Sequence, residues 1–307
     1  MPQVDGFLNV CKPLGWTSHD VVGFVRRRIG QQRVGHAGTL DPAATGVLPL
    51  CLGRATRLVD RVAAGSKVYA ADVRLGLATD TGDAEGRALL ANGASSRPEC
   101  ALDVIVEALA GLLGDVAQVP PSYSALKIGG EAAYARARRG ETVPLAARPV
   151  MIYGIGLIAW RWPRLSLVLC CSKGTYVRAV ARDLGARLGC EAHLDALVRL
   201  AVGPFRLRDA VTLEELTECA EAGRWTSLVE PPDRVAVDLP AVVLAPATAQ
   251  HFVYGRAWPP GADGAPRDAR AYSVDGRFLG LVRRVEPPPR WQPALSFVYD
   301  AGADIEC

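Results

Sequence analysis

In the segment RVGHAGTLDP, residues 33–42, one carboxylate (Asp41) and one imidazole (His36) stand among glycines, a threonine and a proline. Pro42 fixes its own φ and pushes Asp41 toward extended geometry, while Gly35 and Gly38 tolerate backbone shapes that other residues resist. This is a shaped loop that holds one acid, a group able to act as a nucleophile. The same residues also spell an ordinary turn with an Asp chosen for turn chemistry, and the segment alone leaves both readings open.

Three further segments combine unlike residues where packing alone would not ask for them. KVYAAD puts Tyr69 on a strand, where it is either a core aromatic or a ring facing a site. SKGTYVRAVARDLG opens a helix with Tyr176 and Arg178 in its first turn. A helix start favours anions, so a cation there points to a partner carboxylate or phosphate. VPPSYSALKIGGEAAYARARRGE reads as an arm with basic residues and tyrosines, suited to gripping nucleic acid or simply solvated.

Other chemistries find little support. The four histidines, His19, His36, His193 and His251, are scattered, and none pairs with a cysteine or acid at metal-ligand spacing. ATDTGDAEG, residues 78–86, carries Asp80, Asp83 and Glu85, yet it lacks the ligand order of a calcium loop and the second triplet of an aspartic protease. It reads as an acidic turn between strands. No phosphate-cradling Walker loop and no nucleophile elbow is present.

The elements that must position these residues follow from periodicity. GFLNVCKPLGW is a strand stopped at Lys12-Pro13, and TSHDVVGFVRRRIG is a helix capped by Thr17 or Ser18, with Val21, Val25 and Ile29 on one face and Gly30 closing it. TGVLPLCLG is a buried strand, and RATRLVDRVAAG a helix with Leu58 and Val62 inward. KVYAADVRLG alternates, with Tyr69, Ala71, Val73 and Leu75 on one face. Residues 101–113 form an amphipathic helix, EAAYARARRGE a short basic one, and PVMIYGIGLIAW and RLSLVLCCS two strands joined at Trp162-Pro163. The helix from Tyr176 buries Val177, Val180, Leu184 and Leu188, and TLEELTECAEAG is a further capped helix. VEPPDRVAVDLP, residues 229–240, is the best domain boundary on punctuation, and short β-like runs follow it. The sum is a mixed α+β main domain with a β-rich appendage.

Composition narrows the class. The chain has 307 residues and a formal net charge of +3, which permits an anionic partner without demanding one. Only Lys12, Lys67, Lys127 and Lys173 are lysines, so arginine dominates the basic residues, as suits phosphate contacts or as codon bias alone would produce. The 8 cysteines never fall at the two-residue spacing of zinc or redox motifs and read as buried thiols of a reducing compartment. No basic-plus-apolar leader opens the chain and no run approaches the ~20 apolar residues of a membrane span, so a cytoplasmic protein is expected.

Taken in order, GFLNVCKPLGWTSHDVV, RVGHAGTLDPAATGVLPLCLGRATR, KVYAADVRLGLATDTGDAEG, QVPPSYSALKIGGEAAYARARRGE, RPVMIYGIGL and CSKGTYVRAVARDLGARLGCEAHLDALVRLAVGPF cover most of residues 6–205 and resemble the TruB family of tRNA pseudouridine synthases. The resemblance implies an α+β catalytic domain over residues 1–237, built on a central mixed, mainly antiparallel sheet flanked by helices and loops. It implies a small β-rich PUA-like RNA-binding domain over residues 238–307, though the likeness there is weaker. It also implies isomerisation of uridine 55 in the tRNA T-loop to pseudouridine by base flipping, without cofactor or metal.

Carried over by position, Asp41 matches the catalytic aspartate, Tyr69 the tyrosine that stacks on the uracil, and Arg178 the arginine that pairs with the aspartate. Such a pair would keep the carboxylate ionised in a partly dry pocket. His36 matches the histidine that enters the T-loop, Tyr176 and Leu197 line the uracil pocket, and Lys12 with Pro13 shapes its floor. Residues 120–143 resemble the arm that closes on the RNA; Thr39 stands where alanine is also usual. The implied partner is the tRNA T-stem-loop, bound by a monomer that needs no guide RNA, protein partner or membrane. The contrasting reading is a non-catalytic tRNA-binding or folding module.

Overall fold

The computed structural model describes residues 3–89, 100–124, 145–259 and 266–298, together with 126–128, 130–132 and positions 134, 136, 139 and 141. Its main sheet contains β1 (Gly6–Lys12), β2 (Ala44–Leu52), β3 (Lys67–Leu75), β4 (Gly114–Gln118), β5 (Arg148–Arg161), β6 (Arg164–Cys171), β7 (Ala192–Val202) and β8 (Val229–Glu230). Their spatial order is β8-β1-β2-β7-β3-β6-β5-β4, with Val34–His36 added beside β2 and Phe205–Arg206 beside β7. β2 and β7 run parallel while the other described pairs of this sheet are antiparallel, which is the mixed, mainly antiparallel sheet expected.

The helices form where the apolar period and caps direct them. Thr17 caps α1 (Ser18–Ile29): the Asp20 N–H donates to Thr17 Oγ1 at 3.1 Å, and the Thr17 N–H donates back to the Asp20 carboxylate at 2.9 Å. Gly30 ends that helix in the left-handed region, at φ 67°. The segment from Gly53 enters as a 3₁₀ helix, Gly53–Leu58, and becomes α-helical only in α2 (Val59–Ala64), with Leu58 and Val62 buried as expected. α3 (Leu102–Ala110), α4 (Val177–Arg187) and α5 (Leu213–Glu221) complete the main layer, α5 under a second capping box at Thr212.

Strand character follows which faces are covered. β3 alternates because its Tyr69, Ala71, Val73 and Leu75 face α3 and α4, while its other face is only half covered. β1 and β2 are buried almost without alternation because both faces are packed. Leu8, Leu48 and Leu50 meet α1 and α5 on one side, and Phe7, Val47 and Cys51 meet α2 and the C-terminal strands on the other.

Those strands, β9 (Ala241–Leu244), β10 (Asp268–Ser273), β11 (Phe278–Val285) and β12 (Arg290–Ser296), form a separate four-stranded sheet. Leu295 and Phe297 are buried in one cluster with Phe7, Val47, Val202 and Phe205. Burial of each such side chain stabilises the arrangement by about 1.5–3 kcal/mol.

Three features go beyond or differ from the sequence reading. The 229–240 segment carries structure of its own: Val229–Glu230 pairs with β1, and Pro232–Ala236 is a 3₁₀ turn that packs Val235 into the shared cluster. Proline punctuation there marks an edge strand and a turn start, where a missing N–H costs nothing. A helix absent from the sequence reading, α6 (Pro246–Val253), buries Ala249 and Phe252 in the tail. Its single short apolar face carries too little periodicity to be read. The basic helix expected over 131–141 starts later than read: Glu131–Ala132 pairs as strand with Lys127–Ile128, positions 134 and 136 are helical, and most of the rest lies outside the described residues.

Candidate active site

The loop between Val34–His36 and β2 is bare of bulk but anchored at every carbonyl from Gly38 to Pro42. Arg199 donates to the Gly38 and Thr39 oxygens at 3.1 and 3.2 Å, and Ser18 Oγ donates to Leu40 at 3.2 Å while accepting from its N–H at 2.9 Å. The Asp41 oxygen accepts from the Ala44 N–H at 3.0 Å. The Pro42 oxygen accepts from the Gly15 N–H at 2.9 Å and from Lys12 Nζ at 3.3 Å. Small residues leave one surface of the loop open; groups from α1, β1 and β7 fix the other.

Asp41 is therefore presented on a rigid backbone with its side chain 44% exposed. Arg178, in the first turn of α4 and 7% exposed, places its guanidinium 2.9 Å from the Asp41 carboxylate. The same guanidinium faces Asp83 at 3.6 Å and donates to the carbonyls of Thr81 at 3.0 Å and Tyr123 at 2.8 Å. The cation at a helix start thus has the partner carboxylate its position called for, and a second one besides. The start of α4 is itself held by Gln118, which accepts from the Tyr176 N–H at 2.8 Å and donates to its carbonyl at 3.2 Å.

Around Asp41 opens a cleft of about 500 Å³. Five of the sequence-predicted residues meet there: Asp41, Tyr69, Tyr176, Arg178 and Leu197. Tyr69 is 7% exposed, and burial pushes its hydroxyl above the usual phenol range, an effect the neighbouring Arg199 guanidinium partly offsets. Burial also raises the Tyr176 hydroxyl. Lys67, Lys173 and Arg199 add positive charge to the lining, as an anionic substrate requires. Lys67 donates to the Ala63 and Gly65 carbonyls, both at 2.7 Å, and burial lowers it to about 8.

Two predicted residues stand outside this lining. Lys12 is completely buried behind the loop, donating to the carbonyls of Pro13 and Trp16 at 2.8 and 2.6 Å as well as to Pro42. Burial lowers it to about 8, against the pull of Asp41. Its donors are spent on backbone, so it shapes the loop and offers no ammonium to the cleft. His36 lies on the short strand that feeds the loop, half-buried, with burial holding its imidazole below the usual range.

The sequence reading passed over Asp83 and Arg199. The first lies in the acidic turn read between strands, now seen between Ala78–Thr79 and Ala88–Leu89, and from that turn the Thr81 carbonyl and Asp83 carboxylate face Arg178. The second was signalled by one arginine inside the apolar run DALVRLAV.

A main sheet that carries one acid on an anchored loop, paired with a buried arginine beside a buried tyrosine, matches what the family comparison returns. The TruB family pseudouridylate synthase N-terminal domain matches residues 26–177, and the tRNA pseudouridylate synthase B C-terminal domain matches residues 178–235. The chain belongs to the TruB family. It is 44% identical over 293 residues to tRNA pseudouridine synthase B of Arthrobacter sp. (strain FB24), covering 91% of this chain and 93% of that one. It is 38% identical to the protein of that name from Dehalococcoides mccartyi (strain ATCC BAA-2266 / KCTC 15142 / 195), covering 96% of this chain and 97% of the relative. Among solved structures, an H/ACA RNP bound to a substrate RNA containing 2'-deoxyuridine aligns at TM-score 0.73 and 21% identity, over 96% of this chain and 86% of that one. A chain of a Cbf5-Nop10-Gar1 complex aligns at TM-score 0.72 and 23% identity, over 95% and 84%. At those identities the likeness is one of fold.

Proposed function

We propose that this protein is a tRNA pseudouridine synthase that isomerises uridine 55 of the T-loop, with Asp41 as the catalytic carboxylate. The observation that carries this reading is the half-exposed Asp41 carboxylate at the mouth of the cleft, 2.9 Å from the buried Arg178 guanidinium. The named function of relatives sharing 38–45% identity supports the reaction and the tRNA substrate.

The reaction breaks the bond from the base nitrogen to the anomeric carbon, turns the uracil and joins the same carbon to carbon 5. The proton of carbon 5 leaves to solvent and the freed nitrogen takes one up, so substrate and product are isomers. Asp41 supplies the charge that enables bond breaking. Tyr69 stacks on the extruded uracil, Tyr176 and Leu197 line its pocket, and Arg178 pairs with Asp41 and aims it. His36 enters the T-loop in the space the base vacates, at a cost of a few kcal/mol for flipping that a loop reduces relative to a duplex. Lys12 supports the loop from behind. Residues 120–143 close on the RNA; their described root is tied to α4, where Arg182 donates to the Val119 carbonyl at 3.0 Å and Arg178 to Tyr123.

Residues 1–237 form the catalytic domain and residues 238–307 a PUA-like domain that adds phosphate contacts. The protein works in the cytoplasm as a monomer on tRNA alone. Among the described residues no helix is long and apolar enough to cross a membrane.

The test is tritium release from tRNA transcript labelled at uracil carbon 5, with the product site mapped and no guide RNA or second protein added. Wild type is expected to release tritium from the T-loop uridine, and Asp41→Asn to lose turnover on the order of 10⁴-fold while still binding tRNA. Tight tRNA binding with no release by wild type would assign a binding or folding module instead.

A further inference from the structure

Among the described residues Arg199 is the largest fully buried side chain, 1% exposed. Among the described residues no ion pair answers its charge; its donors go to the carbonyls of Val47 at 2.7 Å, Thr39 at 3.2 Å and Gly38 at 3.1 Å. A buried guanidinium without a carboxylate is costly, and a long apolar side chain would fill the same space without that cost. Arginine at this position therefore needs a reason beyond packing.

Register supplies one. On β7, Arg199 lies opposite Gly46 of β2 on one side and Tyr69 of β3 on the other. Gly46 sits at φ +101°, and a Cβ there would come within 2.3 Å of the Arg199 carbonyl, so glycine is what lets the parallel strands approach. The planar fork then reaches forward to the first two carbonyls of the Asp41 loop, while its flank lies against the Tyr69 hydroxyl. It is also part of the cleft wall. One rigid group thus touches both the loop that carries the acid and the ring that faces the base. Lysine could not reproduce this, because a point ammonium on a flexible stem has no fixed fork.

We propose that Arg199 is a positioning residue for the isomerisation, locking the Asp41 loop and Tyr69 into one unit so that it sets the rate of the bound complex and not the affinity for RNA. The proposal rests on the pseudouridine synthase reading. Its consequence is a separation of rate from binding: a loop displaced by a fraction of an ångström still holds RNA through other surfaces, but it no longer aims the carboxylate.

Arg199→Met and Arg199→Lys are compared with wild type in single-turnover tritium release at saturating enzyme, alongside the Kd for tRNA and hydrogen exchange of backbone amides. Arg199→Met is expected to slow the bound-state rate about 100-fold with Kd changed less than about threefold. Arg199→Lys, which keeps the buried charge and so remains informative if the Met variant does not fold, is expected to slow it about tenfold. Exchange should accelerate for residues 38–41 and not throughout the sheet. A folded Arg199→Met or Arg199→Lys with the wild-type rate overturns the proposal, as does a loss seen wholly in Kd or exchange raised evenly across the sheet. Absence of turnover in wild type itself overturns the functional reading and, with it, the proposal; turnover in wild type with undiminished variants overturns the proposal alone.

Discussion

The helix side and the strand side of the cleft hold their buried cations by different means. On the helix side Arg178 stands between two carboxylates, Asp41 at 2.9 Å and Asp83 at 3.6 Å. On the strand side and behind the loop, Arg199, Lys67 and Lys12 donate to backbone carbonyls. Among the described residues none of those three forms an ion pair. A carboxylate answers charge with charge, whereas carbonyls answer with dipoles and leave the net positive charge in place. The helix side therefore pairs the Asp41 carboxylate, and the strand side sets the shape of the backbone that carries it while leaving positive charge on the cleft wall.

The largest effect on this contrast should come from Arg178→Met, which leaves Asp83 buried without its cation and Asp41 without its guide. Turnover is expected to fall about 10³-fold, and the unfolding free energy by about 3 kcal/mol in urea titration. A variant that kept its stability would show that the carboxylates are solvated well enough to stand alone, and the contrast between the two sides would collapse.

On the strand side, Gly46→Ala should lower the unfolding free energy by about 2–3 kcal/mol, because it combines a left-handed backbone with a clash against the Arg199 backbone. Urea midpoints for the two proteins check this. An unchanged midpoint would mean that β2 and β7 can separate there without loss.

The last effect is a dependence on pH. Burial lowers Lys12 to about 8 from the usual 10.5, so between those values the unfolded chain binds more protons than the folded one. Stability contributed by this residue must then rise with pH across that window, by at most about 1.4 kcal/mol per pH unit. Lys12→Met removes the rise, and the gap in unfolding free energy between wild type and variant is expected to widen from pH 8 to pH 10. A gap that narrows would show that the folded protein favours the charged form, making Lys12 resemble the ion-paired side.

Legibility in the sequence followed the distance over which each feature is decided. The alternation of Tyr69, Ala71, Val73 and Leu75 and the helix caps are local: the cap read at Thr17 or Ser18 falls on Thr17, and the helix read from Thr212 is capped there. Asp41, Tyr69 and Arg178 were legible as odd residues in otherwise regular segments, and the structure brings all three to one cleft. The turn holding Asp83 was read correctly, between strands Ala78–Thr79 and Ala88–Leu89, but its partner was not, because a turn acid looks the same whether it faces solvent or a guanidinium. α6 and the pairing of Val229–Glu230 with β1 were illegible, since short segments draw their stability from surfaces supplied elsewhere in the chain.

By itself the sequence determined the family, the order of the main elements, and a loop made bare by glycine, threonine and proline around one acid. Those are matters of residue type, spacing and backbone preference, which act over a few positions. Only the tertiary structure decided what holds that loop and what covers β2. Arg199 reaches its carbonyls from 152 to 161 positions away. The tail's Leu295 and Phe297 complete the face of β2 that α1 leaves open. Periodicity reports which face of an element is buried; it carries no record of the distant backbone oxygen or side chain that arrives to meet it.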